Sequence, residues 1–158
     1  MSQSDAKKAT QRYATSKIES EQDLWHLHSF GFRGEALAAI SSVSVFQIQT
    51  AEQGAQTGVS LMYRSGDLVQ ETVIPGIGGT EIIVENLFFS VPARLKFLKA
   101  DSTEEKYIRS LLTQIALIHP EVEFIYNSNG KEVFHYGIGQ SQKERFQSVL
   151  PKDITEGL

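Results

Sequence analysis

The chain has 158 residues, 41% hydrophobic and 22% charged, with no cysteine and a formal net charge of −4. Disulfides and thiolate zinc sites are therefore excluded, and no apolar run approaches the ~20 residues of a membrane-spanning helix. An acidic chain does not grip nucleic acid over its whole surface, so any DNA contact must be local.

Residues 5–14 read as a short polar helix, with Asp5 as N-cap and Ala6, Ala9 and Tyr13 at helical spacing. Ala14–Ser20, rich in small hydroxylated residues, reads as a loop, and Glu21–Leu27 as a further helical turn. Gly31-Phe32-Arg33-Gly34-Glu35 then runs into Ala36-Leu37-Ala38-Ala39-Ile40, a strong helix former. A glycine turn that opens a helix presents unpaired N–H groups at the positive end of the helix dipole, where an anion is stabilised. Glycine there can take φ > 0 and keeps a Cβ out of a phosphate's path. The plain alternative is an ordinary helix start. Glu35 is a poor candidate for a catalytic base: the first turn of a helix favours a carboxylate anyway, and one beside phosphates repels them.

From Val43 the period changes to two. Val43–Thr50 reads as a strand, Ala51–Gln56 as a polar loop, and Val59, Leu61 and Tyr63 as the buried side of a second strand. Arg64-Ser65-Gly66-Asp67 is a hairpin turn, Leu68–Ile74 the returning strand and Thr80–Leu87 a fourth strand. This predicts helices followed by a β-meander, an α+β sandwich with helices on one face of a mostly antiparallel sheet. Pro92 stops the last strand, and the pattern restarts. Ser102-Thr103-Glu104-Glu105 has capping-box spacing, and Ile108, Leu111, Leu112, Ile115 and Ile118 fall on one helical stripe ended by His119-Pro120. Val122–Tyr126 and Val133–Tyr136 form a hairpin across Asn127-Ser128-Asn129-Gly130, and Gln142–Val149 is a final short helix. The chain carries no internal repeat and no Walker A sequence.

Several segments together carry a resemblance. Gly31-Phe32-Arg33-Gly34-Glu35-Ala36-Leu37 resembles the third ATP-site motif of the MutL family of DNA mismatch-repair proteins, which belong to the GHKL ATPases. Arg12-Tyr13-Ala14-Thr15-Ser16-Lys17-Ile18, with Asp23-Leu24 after it, resembles the family's ATP-lid segment. Ile40-Ser41-Ser42-Val43-Ser44 continues the match, Gly79-Thr80 resembles the fourth motif, and Leu87-Phe88-Phe89, Pro92-Ala93-Arg94 and Lys96-Phe97-Leu98-Lys99 resemble the family's strand-end signature.

The resemblance implies the rear part of a GHKL (Bergerat-type) ATPase sandwich over residues 1–91, and the start of an α/β domain of the ribosomal S5 type over 92–158. It implies nucleotide binding by Thr15, Ser16 and Lys17 of the lid, by Gly31, Phe32, Arg33, Gly34, Glu35, Ala36 and Leu37 of the phosphate loop, and by Thr80. It implies ATP and Mg²⁺ as cofactors, and as partners a MutS-type mismatch sensor, DNA and a second MutL-type subunit in a homodimer or heterodimer. The family's catalytic glutamate, its Mg²⁺-holding asparagine and its Asp-x-Gly-x-Gly adenine anchor have no counterpart in the 158 residues, so this chain alone is expected to be inactive as an ATPase. Met1-Ser2-Gln3-Ser4-Asp5 lacks the apolar core of a signal peptide. The expected location is cytoplasmic, with the bacterial nucleoid, or nuclear in a eukaryote.

Two lesser readings complete the sequence. Arg94, Lys96 and Lys99 form a small basic cluster that could touch a DNA backbone or simply face solvent. On that basis the alternative function is a non-catalytic DNA- or protein-binding module. His26 and His28 have the spacing of a metal-binding strand but no Cys or carboxylate at useful spacing, which favours a surface or core role.

Overall fold

The computed structural model describes residues 1–15, 17, 22, 25, 31 and 33–150. The lid segment after Lys17, most of the expected helical turn at 21–27, and Ser16, His26, His28 and Phe32 lie outside the described residues. The chain divides into two compact units, Met1–Phe97 and Leu98–Leu158.

In the first unit, β1 (Val45–Thr50), β2 (Thr57–Arg64), β3 (Asp67–Pro75) and β4 (Thr80–Glu85) form one antiparallel sheet in the order β3-β2-β1-β4. The expected meander stops after three strands. β4 crosses back to flank β1, pairing Ile82 with Ile48 and Val84 with Phe46. This register puts Ile82 and Val84 on the same face as Ile48 and Phe46, whereas β3 offers an edge of almost entirely exposed residues. Ser65 and Gly66, with φ of 52° and 92°, make the two-residue β2–β3 turn that matches the strand twist.

The core of this unit is Phe46, Ile48, Val59, Leu61 and Tyr63 from the sheet, with Ala6 from α1 (Gln3–Ala9). Leu37 and Ile40 of α2 (Ala36–Ser41) pack against it. α1 starts two residues before the expected cap. Ser2 is its N-cap, accepting the Asp5 N–H at 3.2 Å, and its hydroxyl donates to the Asp5 carboxylate at 2.7 Å. Lys7 and Gln3 of α1 both reach Glu71 of β3, with the Lys7 ion pair at 2.8 Å, and they hold that carboxyl below its usual range. α2 is stopped by hydroxyls: Ser41, Ser42 and Ser44 donate to the carbonyls of Ala38, Ala39 and Ile40 at 3.0, 2.8 and 2.7 Å, satisfying groups that would otherwise be orphaned. β4 ends at Glu85, well before Pro92, so the proline does not stop it as expected. Pro92 occupies the first turn of a four-residue helix, α3 (Pro92–Leu95), where its missing N–H costs nothing.

The second unit contains α4 (Asp101–Ile118), the hairpin β5 (Phe124–Ser128) and β6 (Lys131–Tyr136), and α5 (Gln142–Val149). The capping box expected at Ser102 does not form. The helix begins at Asp101, and Glu104 instead accepts the Lys99 N–H at 2.9 Å. A complete capping box stands at α5, where Ser141 and Glu144 satisfy each other's backbone N–H groups. These donors hold the Glu144 carboxyl below its usual range, so the box contributes at neutral pH and is lost as acidification protonates that carboxyl. The stripe on α4 is not a buried face: Ile108, Leu111 and Ile118 are 48%, 58% and 59% exposed, and Ala116 is the helix's buried residue.

Arg145 ties this unit together. It is fully buried and donates to Gln140 Oε1 at 2.6 Å and to the carbonyls of Ala116, Pro120, Val122 and Gly137 at 3.0, 3.2, 2.8 and 2.6 Å. Its guanidinium also lies 5.9 Å and 5.7 Å from the ring centroids of Phe124 and Tyr136. One side chain thus links the end of α4, the hairpin and α5. Replacing Arg145 by Ala should destabilise this unit by about 3 kcal/mol or more, because four carbonyls lose a charged donor and each one left unsatisfied costs about 1–3 kcal/mol. Lys, with three donors and no planar fork, should recover only part of the loss. Urea unfolding of the two variants checks this, and a cost for Arg145→Ala within about 0.5 kcal/mol of zero, as at an ordinary surface position, would refute it.

Candidate functional site

Two stretches of chain meet at the start of α2. The first leaves α1 and turns sharply at Tyr13, whose φ of 64° is unusual for a bulky residue. The second is the glycine loop. Gly34 has a φ of 62°, and a Cβ built on it would lie 2.3 Å from the Ala14 carbonyl oxygen and 2.9 Å from the Ala14 nitrogen. Only a residue without a side chain allows the two backbones to approach this closely. Gly31 differs: nothing lies within 4 Å of its hypothetical Cβ, and its conformation does not demand glycine.

Around this crossing lies an open cleft of about 1040 Å³. Thr15 and Lys17 line it from one stretch, and Gly31, Arg33, Gly34, Glu35, Ala36 and Leu37 from the other. The described residues expected from sequence to bind nucleotide therefore share one cavity, apart from Thr80. The Thr80 hydroxyl lies outside the lining, 2.8 Å from that of Thr50, which donates or accepts across the β1–β4 pair. Thr15 Oγ1 accepts the Lys17 N–H at 3.2 Å, a local turn that fixes the spacing of the two residues.

The remaining wall was missed in the sequence. Asp5, Lys8 and Ala9 of α1 line the cleft, with Met1, Tyr13 and Ala14. Their spacing of three and four was the available signal, since it puts them on a helix face other than the one that buries Ala6. Ala9 and Tyr13, expected at helical spacing with Ala6, line the cleft, and Tyr13 lies beyond the end of α1. Charged side chains in the lining are Lys8, Lys17 and Arg33 against Asp5 and Glu35, a balance suited to an anion. Glu35 is the N-cap residue of α2, but its side chain makes no capping bond. In the basic cluster, Arg94 and Lys96 belong to the first unit and Lys99 to the second. The Lys99 ammonium donates to the Tyr107 hydroxyl at 3.0 Å.

No protein-family model matches the chain. The DNA mismatch repair protein MutL of Geotalea uraniireducens is 43% identical over 159 aligned residues, which take in 100% of this chain and 26% of the relative. MutL of Pelodictyon phaeoclathratiforme is 47% identical over 135 residues, 85% of this chain and 22% of the relative. The chain thus spans about a quarter of the length of the curated relatives it matches. Among solved structures, the Aquifex aeolicus MutL ATPase domain complexed with ADP superimposes with a TM-score of 0.70 at 33% identity, covering 82% of this chain and 51% of that one. Sequence and fold agree: the chain belongs to the MutL family of DNA mismatch repair proteins and has the α+β fold of part of their GHKL-type ATPase domain.

Proposed function

We propose that the cleft is a site for the phosphates of ATP, and that the protein to which this chain belongs couples mismatch recognition to downstream repair through ATP binding and hydrolysis. The observation that carries this reading is the convergence of the lid and loop segments on one cavity. Its support from outside the chain is the ADP held by the Aquifex aeolicus relative. The cavity volume is at the upper end of the range usual for small-molecule sites. Backbone N–H groups of the 31–37 loop would face the phosphates, Lys17 and Arg33 would balance their charge, and Thr15 would supply a hydroxyl oxygen to the lid. Mg²⁺ would accompany the nucleotide. DNA, a MutS-type mismatch sensor and a second MutL-type subunit are the partners of the whole protein in this reading.

The two glycines have different jobs, and that separates binding from folding. Gly34→Ala should destabilise the first unit, because its Cβ meets the Ala14 backbone at a left-handed φ. Gly31→Ala should leave the melting temperature nearly unchanged. Thermal unfolding of both variants tests this, and equal losses would mean that Gly34 is not the packing glycine.

Gly31→Val then serves as the binding probe. Calorimetric titration of the chain with Mg-ATP should give saturable heat that this variant loses while remaining folded. Phosphate release by these 158 residues should stay at background, because water activation and electrostatic stabilisation need groups that have no counterpart in the sequence. An absence of saturable heat at millimolar nucleotide would contradict the binding proposal, and measurable turnover would contradict the second expectation.

A further inference from the structure

We propose that a second cleft beside α2 is a site for a phosphate group, gripped by Arg12 and Arg94. This cleft of about 460 Å³ is lined by Arg12, Arg94, Glu35 and Ser42, with Val43 and Val91 among its apolar residues. It uses a different stripe of α2 from the first cleft, and Glu35 is the residue common to both. The proposal does not depend on the nucleotide reading.

Three features point to a phosphate. Arg12 and Arg94, from distant parts of the sequence, line one small cavity, and neither is in an ion pair among the described residues. Two arginines against the single carboxylate of Glu35 leave the lining with a net positive charge, and the planar guanidinium fork matches phosphate oxygens in pairs. The other polar groups do not compete for that role: Ser42 spends its hydroxyl hydrogen on the Ala39 carbonyl and its N–H on Ala38. Glu35 supplies the opposing charge, so it sets the affinity: an anion entering this cleft must overcome one carboxylate. The site revises the basic cluster seen in the sequence. Arg94 keeps its place, Arg12 joins it, and Lys96 lies outside the lining.

Such a phosphate could belong to a DNA backbone or be free in solution, and one experiment separates the sources. The chain and its variants would be titrated with a short DNA duplex across a salt series, and in parallel with inorganic phosphate followed by thermal shift. For a DNA backbone, Arg12→Ala combined with Arg94→Ala should weaken duplex binding and flatten the salt slope by about one to two. Lys131→Ala, on the hairpin of the other unit, should change neither. For a free phosphate, inorganic phosphate should raise the melting temperature of the parent and not of the double variant, while duplex binding is absent. In both cases Glu35→Gln should tighten binding severalfold, a gain that misfolding cannot imitate. The proposal is overturned if the double variant handles duplex and phosphate like the parent. It is also overturned if the arginine variants and Glu35→Gln all lower stability without changing binding, which would make the three residues a structural ion-pair set.

Discussion

The first unit's site depends on one backbone crossing. Gly34 lies against Ala14 at a distance that no side chain permits, and this contact joins the segment leaving α1 to the loop entering α2. Both crossing segments adopt left-handed geometry, Gly34 by nature and Tyr13 against its preference, the latter at a cost of order 1–3 kcal/mol. Such geometry persists only when its surroundings impose it. Here they do, because Ala6 buries α1 on the sheet and Leu37 and Ile40 dock α2 beside it. Close packing of two short helices on Phe46, Ile48 and Leu61 thus holds Gly34 against Ala14, and the cleft lies around that contact.

The crossing also changes what the glycines mean. From sequence, the argument for glycine is access: no Cβ where a phosphate must approach. In the fold, Gly34 is required by Ala14, while Gly31 is the glycine beside open space. Glu35 stands between two cavities, each lined by arginine or lysine, and its single carboxylate moderates both. Charge in this region is therefore balanced locally, in a chain whose net charge is −4.

Local signals made most of the elements legible. Alternation in Val59–Tyr63, the Ser65-Gly66 turn and the Asn129-Gly130 turn each encode a period or a positive φ within a few residues, and the structure has all three. What escaped was set by partners distant in sequence. β4 flanks β1 because Ile82 and Val84 match Ile48 and Phe46, which the order of strands along the chain does not reveal. Glu105 has capping-box spacing from Ser102 on paper, but the N-cap is Ala100, two residues earlier, and it is the Glu104 carboxylate that accepts the Lys99 N–H. Arg145 stands in a segment that the sequence marks only as a final short helix. Five oxygen acceptors and two aromatic rings from three elements make it the buried centre of the second unit. The cleft was half legible: its loop and lid come from motifs, whereas its α1 wall follows from a helix whose start was misplaced.

The central claim is that the 13–17 and 31–37 segments act as one nucleotide site. Backbone amide chemical-shift mapping of the 158-residue chain during titration with Mg-ADP tests it most directly. The amides of Thr15, Lys17, Gly31 and Gly34 should shift together, along one saturation curve. Shifts confined to other residues, or none at millimolar nucleotide, would contradict it.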